Sequence, residues 1–227
     1  MLWLLIMGVT LVISLGAMGY LKSVYARTSK IPVASGLTGA QTAARILQSA
    51  GITDVQIVEG QGFLTDNYNP LNKTLTLSPD NFSGSSAAEV GVAAHECGHA
   101  LQHQQHYAPL QIRMSAVYAT QFANSALMWI FIGSFFLHLI SGYLAIWLIT
   151  LCFGVIMGFN LITLPVEYDA SHRAKVVLLQ LGIVRAGPEA AAVNETLNAA
   201  GLTYVAAFIS TLLQFLYYFS MLSGRRN

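Results

Sequence analysis

The sequence predicts a mainly α, integral membrane protein of about four transmembrane helices that carries a small α+β domain, and three observations lead there. Of the 227 residues, 55% are apolar and only 9% charged, against about 45–50% and about 25% in an ordinary soluble domain. Uncharged stretches long enough to cross a bilayer recur along the chain, and most charges gather in two polar segments between them. Those segments leave room for one compact domain of about 100 residues. The composition excludes disorder. A net charge of +1, from 11 Lys+Arg against 10 Asp+Glu, offers no basic surface for a run of phosphates, so nucleic acid is not an expected partner. Cys152 sits in an apolar run and Cys97 beside histidines, which argues against a disulfide between the two.

Residues 2–21 contain no charge, and at about 1.5 Å per residue they cover a hydrocarbon core of about 30 Å. No positive residue precedes them, and they outrun a signal-peptide apolar region, so residues 1–21 read as a retained anchor. Lys22, Arg27 and Lys30 follow and should hold that end in the cytoplasm.

The next segment, 22–115, is the expected catalytic domain. Thr38 and Gln41 form a capping box opening a helix whose Ala40, Ala43, Ala44 and Leu47 share a face until Gly51. Val55 with Ile57, and Leu75 with Leu77, alternate with polar neighbours, predicting two short strands around a turn-rich loop from Asp66 to Asn72. Ser86 and Glu89 form a second capping box, opening a helix that should run to about Gln104.

Between Arg113 and Glu167 lie 53 residues without Lys, Arg, Asp or Glu. They predict a transmembrane hairpin over 116–164, with helices at 116–140 and 143–164 and a turn at Ser141 and Gly142. Gly154 and Gly158 make a small-xxx-small pair that would let helix backbones approach. A second polar segment, 165–201, should start a new helix at Pro165. The last span is expected at 202–222, with Gln214 turned into the bundle. Two crossings between the polar segments return them to one side of the membrane. Nine of the 11 basic residues lie in those segments, while Arg225 and Arg226 on the opposite side offend the charge rule.

The chemistry is concentrated in His95-Glu96-Cys97-Gly98-His99. Histidines at i and i+4 project from one helix face and can grip one Zn²⁺, while the intervening glutamate can take a proton from metal-bound water and pass it to a leaving amine. A catalytic zinc takes three protein ligands and leaves a fourth position for water. Gln105 stands where the metzincin continuation needs histidine, which excludes that class. His103 continues the i+4 row, but its imidazole would start about 12 Å along the axis from His95, too far for a shared tetrahedral ion. Glu167, the first charge after the apolar hairpin, is the better third ligand. Asp169 is expected to orient a ligand histidine or pair with Arg173. His172 and Tyr68 both stand as candidates to stabilise the oxyanion.

Several motifs in order carry a family resemblance: Leu64-Thr65-Asp66-Asn67-Tyr68-Asn69-Pro70, Thr74-Leu75-Thr76-Leu77-Ser78-Pro79, His95 through Gln102, and Leu164-Pro165-Val166-Glu167-Tyr168-Asp169-Ala170-Ser171. Together they resemble the YugP-like family of bacterial membrane zinc metallopeptidases, over nearly the whole chain. The layout is also similar to the HtpX and CAAX-prenyl-endopeptidase class. The resemblance implies a zincin-like catalytic domain with His95, His99 and Glu167 as ligands of one Zn²⁺ and Glu96 as the base. Cys97 departs from the small residue common there; one position off the ligand face, it should pack behind the helix.

The expected activity is that of a zinc-dependent endopeptidase in a bacterial cell (inner) membrane, its site facing the cytoplasm and its substrates membrane proteins or unfolded segments. Residues 74–78 are expected to offer an edge strand to an extended substrate. A rival expectation is a non-catalytic membrane scaffold with a structural or vestigial zinc in a closed four-ligand shell recruiting His103. A third is an interfacial hydrolase of lipid amides or esters.

Overall fold

A computed structural model of the protein describes residues 1–62 and 65–224. Arg225 and Arg226, on which the charge rule turned, lie outside the described residues, as does Leu64. The chain runs α1 (Leu2–Thr28), α2 (Gly39–Ser49), β1 (Gln56–Glu59), β2 (Asn67–Asn69), β3 (Thr74–Leu77), α3 (Pro79–Ser83), α4 (Ala87–Gln104), α5 (Ala108–Phe131), α6 (Gly142–Gln180) and α7 (Pro188–Ser223). A π-helical turn, Ile132–Phe136, extends α5. The fold is mainly helical with one small sheet.

Among the described residues, three helices, α1, α6 and α7, are long and apolar enough to cross a membrane. The first helix of the expected hairpin begins earlier than 116, at Ala108, where Pro109 suits the first turn. This α5 has the length of a span at 24 residues, but Gln111, Arg113, Gln121 and Asn124 lower its apolarity below that of the other three. Apolar contacts among Ala123, Ile130, Ala145, Cys152 and Ile156 pack it against α6.

The expected helix start at Pro165 is absent. α6 runs unbroken for 39 residues with Pro165 inside it. Proline forfeits one helical hydrogen bond, but just beyond it Val166 is 0% and Glu167 2% exposed, so packing on α4 holds the helix through the defect. At about 1.5 Å per residue, α6 is about 58 Å long, nearly twice the hydrocarbon thickness. One element therefore has an apolar stretch long enough to cross a membrane at its start and packs on α4 at its end. α7 does the same in reverse: it begins at Pro188, well before the expected 202, and continues to Ser223.

In the polar half, Thr38 accepts from the Gln41 amide while the Gln41 side chain accepts from the Thr38 amide, the expected capping box. Glu89 likewise accepts from the Ser86 amide at 2.7 Å. The sheet has three strands, not two, in the order β1-β3-β2. β1 pairs parallel to β3, with Gln56 opposite Thr74, and β2 pairs antiparallel, with Tyr68 opposite Leu75. Thus β3 is central, and the expected edge strand at 74–78 is corrected: the sheet's edges are β1 and β2, of which β2 borders a cavity shared with α5. Asparagine-rich β2 lacks strand propensity; side-chain anchors put it there. Asp66 accepts from the Ser78 amide at 2.8 Å and from Asn81 Nδ2 at 2.9 Å, which pins its lead-in to the end of β3.

Leu75 and Leu77 enter a core with Ile46 of α2, Val90 and Cys97 of α4, Leu178 of α6 and Val193 of α7. α1 is tied on at its basic end. Arg27 pairs with Glu195, Thr28 Oγ1 lies 2.8 Å from Thr196 Oγ1, and Tyr25 donates to Asn81 Oδ1 at 2.7 Å. In the apolar half, Asn160 Nδ2 donates to Thr211 Oγ1 at 3.1 Å, bridging α6 to α7. Gln214 is half-buried.

Candidate metal centre

Most of α4 is buried, His99 and Glu96 included. Its approach to α6 depends on Gly98, where a β-carbon would stand 2.5 Å from the Ala170 carbonyl oxygen. No larger residue permits that contact. The closeness brings α4's histidine face to α6 one helical turn before Ala170, at Glu167.

His95 Nε2 lies 3.2 Å and His99 Nε2 3.6 Å from Glu167 Oε2. The two imidazoles meet edge to face, with centroids 4.8 Å apart. One ligand atom from each of His95, His99 and Glu167 falls within 4.8 Å of the others. Behind them, each ring's outer nitrogen is occupied. His95 Nδ1 is 3.1 Å from Ser171 Oγ, and His99 Nδ1 is 3.0 Å from Gln102 Oε1. The Gln102 amide is oriented by its own donations, to the Val166 carbonyl at 2.7 Å and to Asp169 Oδ2 at 2.8 Å. An amide nitrogen spent on two acceptors leaves only its oxygen for His99, so His99 Nδ1 carries the proton and Nε2 presents a lone pair inward. Two such imidazoles and a carboxylate suit Zn²⁺, and three protein donors match the catalytic pattern with one open position.

Glu96 is 7% exposed. Burial pushes its carboxyl above the usual range, against the pull of His95 and His99. For His99, burial opposes the imidazolium, but the Glu167 carboxylate outweighs it and the net shift is upward. Cys97, fully buried behind the helix, has its thiol pushed far up by burial; it is inert packing.

Two cavities flank the centre, and Asp66, Glu96, Glu167 and Tyr204 face both. One, of about 280 Å³, lies between α1 and α7 and reaches His95 and Ser171. The other, of about 390 Å³, lies between β2 and α5 and reaches His99, Tyr68 and Arg113. From α5, Arg113 Nη1 stands 3.0 Å from Glu167 Oε1.

Tyr68 lines the second cavity, its hydroxyl 2.9 Å from His103 Nδ1, and burial, then the charge of Asp54, pushes its phenol up to about 12. His103 is thereby engaged away from the cluster. His172 is exposed on α6 and lines neither cavity, so the structure does not bring it to the centre. Asp169 reaches His99 only through Gln102, and it also pairs with Arg173. Sequence reasoning missed Gln102, Ser171, Arg113 and Tyr204. Gln102 lies three residues after His99 and Ser171 four after Glu167, spacings that share a helix face. Arg113 is the last charge before the long neutral run, whereas nothing marks Tyr204.

Residues 3–223 match a family model described as "Putative neutral zinc metallopeptidase". The chain belongs to this zinc metallopeptidase family. It is also 38% identical over 226 residues, covering 99% of both chains, to the "Putative membrane protease YugP" of Bacillus subtilis (strain 168). No solved structure matches. The match to the zinc metallopeptidase family spans α1 to α7 and so includes both His95–His99 and Glu167.

Proposed function

We propose that this chain is a zinc-dependent membrane endopeptidase, with His95, His99 and Glu167 holding the metal and Glu96 serving as the base. One observation carries the reading: both Nε2 atoms and a Glu167 oxygen converge while the Glu96 carboxyl faces the same two cavities. Zinc, when bound, supplies Lewis acidity that polarises the scissile carbonyl and acidifies water. Glu96 removes a proton from the attacking water and delivers it to the leaving nitrogen. A carboxyl whose proton affinity is raised by burial is suited to both halves of that exchange. Tyr68, kept protonated by its high pKa, can donate to the carbonyl oxygen. An extended substrate adds along the free edge of β2, which borders the second cavity. The closed four-ligand scaffold is disfavoured because His103 is bound to Tyr68.

α1, α6 and α7 cross the bilayer, with α5 and its π-helical turn as the fourth span. The basic end of α1, the start of α7 and the metal helices share one end of the molecule, joined by Arg27 with Glu195 and Tyr25 with Asn81. The positive-inside rule places that end in the cytoplasm of a bacterial cell. Membrane proteins and unfolded segments are the substrates such a position serves.

Two variants of the purified, detergent-solubilised protein test the assignment. Glu96→Gln should keep its zinc while cleavage of an unfolded model protein falls by about 10²–10⁴. Glu167→Ala should lose the metal itself. An active Glu96→Gln protein refutes the base, and an undiminished zinc content in Glu167→Ala refutes the ligand.

A further inference from the structure

We infer that Arg113 is a positioning residue that fixes how Glu167 presents itself to the metal, an inference that rests on the metal-centre reading above. The two carboxylate oxygens of Glu167 have different neighbours. Oε2 faces both histidines, 3.2 Å from His95 Nε2 and 3.6 Å from His99 Nε2. Oε1 faces Arg113 Nη1 at 3.0 Å. Oε1 is buried and accepts no hydrogen bond, so its partner is the charge of the guanidinium, which draws it away from the ion that Oε2 faces. With Oε1 held, Glu167 offers a single oxygen, and a fourth position stays open beside Glu96. Without Arg113, the carboxylate is free to chelate through both oxygens and fill that position.

Charge gives Arg113 a second reason to be there. Glu96, Glu167 and Asp66 all face the two cavities, and Glu96 and Glu167 are nearly inaccessible to water. A divalent ion alone leaves one of these three negative charges uncompensated. Lys22 lines the first cavity, but Arg113, ionised at any working pH, is the cation placed against Glu167 itself. Among the described residues, Arg113 is the one cation with a salt bridge to Glu167 from Lys or Arg, and it reaches in from α5, an element that supplies no metal donor. The packing of α5 on α6 therefore bears on coordination geometry at a distance from the HExxH helix.

The test uses cobalt in place of zinc, because the visible absorption of Co²⁺ is intense in four-coordinate sites and weak in sites of higher coordination. Wild type, Arg113→Gln and Arg113→Lys are purified as full chains and loaded with Co²⁺, and metal affinity is measured by chelator competition. Wild type should give a four-coordinate spectrum. Arg113→Gln removes a cation beside the ion and frees the second Glu167 oxygen, so it should bind more tightly than wild type, with a weaker, higher-coordinate spectrum. Arg113→Lys keeps a point charge able to reach one oxygen and should restore much of both. If Arg113→Gln fails to fold, Arg113→Met, which keeps a long stem, takes its place with the same expectations. A folded Gln or Met variant with wild-type affinity and spectrum overturns the inference. Failure of the wild type to bind Co²⁺ at all overturns the metal-centre reading instead.

Discussion

Two of the helix crossings that carry glycine, α4 on α6 and α6 on α7, are built in different ways. Where α4 meets α6, a β-carbon on Gly98 would stand 2.5 Å from the carbonyl oxygen of Ala170, 3.0 Å from its carbonyl carbon and 3.0 Å from its α-carbon. The neighbour is backbone, which has nowhere to go without moving a helix. Where α6 meets α7, a β-carbon on Gly154 would meet only the Phe215 ring, at 3.3 Å, and one on Gly158 would meet nothing within 4 Å. The backbone approach expected at this glycine pair is therefore realised at neither position: one meets a ring, and the other faces open space. In the polar half glycine sets the distance between chemical groups on two helices, whereas in the apolar half side chains that can shift fill the gap.

Of the changes at these two crossings, Gly98→Ala should have the largest effect on the metal centre. In an isolated helix the substitution gains about 1 kcal/mol, and overpacking in a well-filled interior costs about 1–3 kcal/mol. A backbone contact at 2.5 Å puts this site on the costly side. The more telling result is in the metal, because separating α4 from α6 by even a few tenths of an ångström moves both imidazoles away from Glu167 together. We expect a lower melting temperature together with a drop in zinc affinity of more than about 10-fold, the lower end for loss of a supporting partner. A Gly98→Ala protein with wild-type zinc affinity would show that the close approach has no bearing on the centre.

Gln102→Met ranks next and isolates orientation from distance. The side chain is fully buried, Met approximates its length, and Gly98 is untouched. His99 loses the acceptor that fixes its tautomer, so zinc affinity should fall by about 10- to 100-fold while Glu96 and the cavities stay in place. Chelator competition measures it; an unchanged affinity would mean that the Gln102 bridge is ornamental.

The difference between the crossings also marks what could be read from the sequence. The shared face of His95 and His99 was legible because their i, i+4 spacing fixes it, and Glu167 because a charge after 53 neutral residues stands out. Gln102 and Ser171 were not, although each sits at helical spacing from a donor, because their value depends on which face of α4 meets which face of α6. The unbroken passage of α6 through Pro165 was hidden for the same reason: the local rule for proline favours a helix start, and burial of Val166 and Glu167 overrides it. β2 escaped notice because its Asn-Tyr-Asn sequence is turn-like, and the bonds from Ser78 and Asn81 to Asp66 that anchor it come from residues 12 and 15 positions away.

Gly154→Ala closes the comparison at its weak end. The gain in helix propensity of about 1 kcal/mol is set against a 3.3 Å approach to Phe215, and a ring at the end of a side chain can give by a few tenths of an ångström where a carbonyl cannot. Propensity and crowding then nearly cancel, and unfolding in detergent should change by less than about 1 kcal/mol. Zinc content and peptide cleavage should match the wild type, since α6 is anchored to α4 well beyond this point. Should Gly154→Ala instead lose metal as Gly98→Ala does, the apolar half would have to transmit its packing along α6 to Glu167, and the contrast between rigid and yielding crossings would fail.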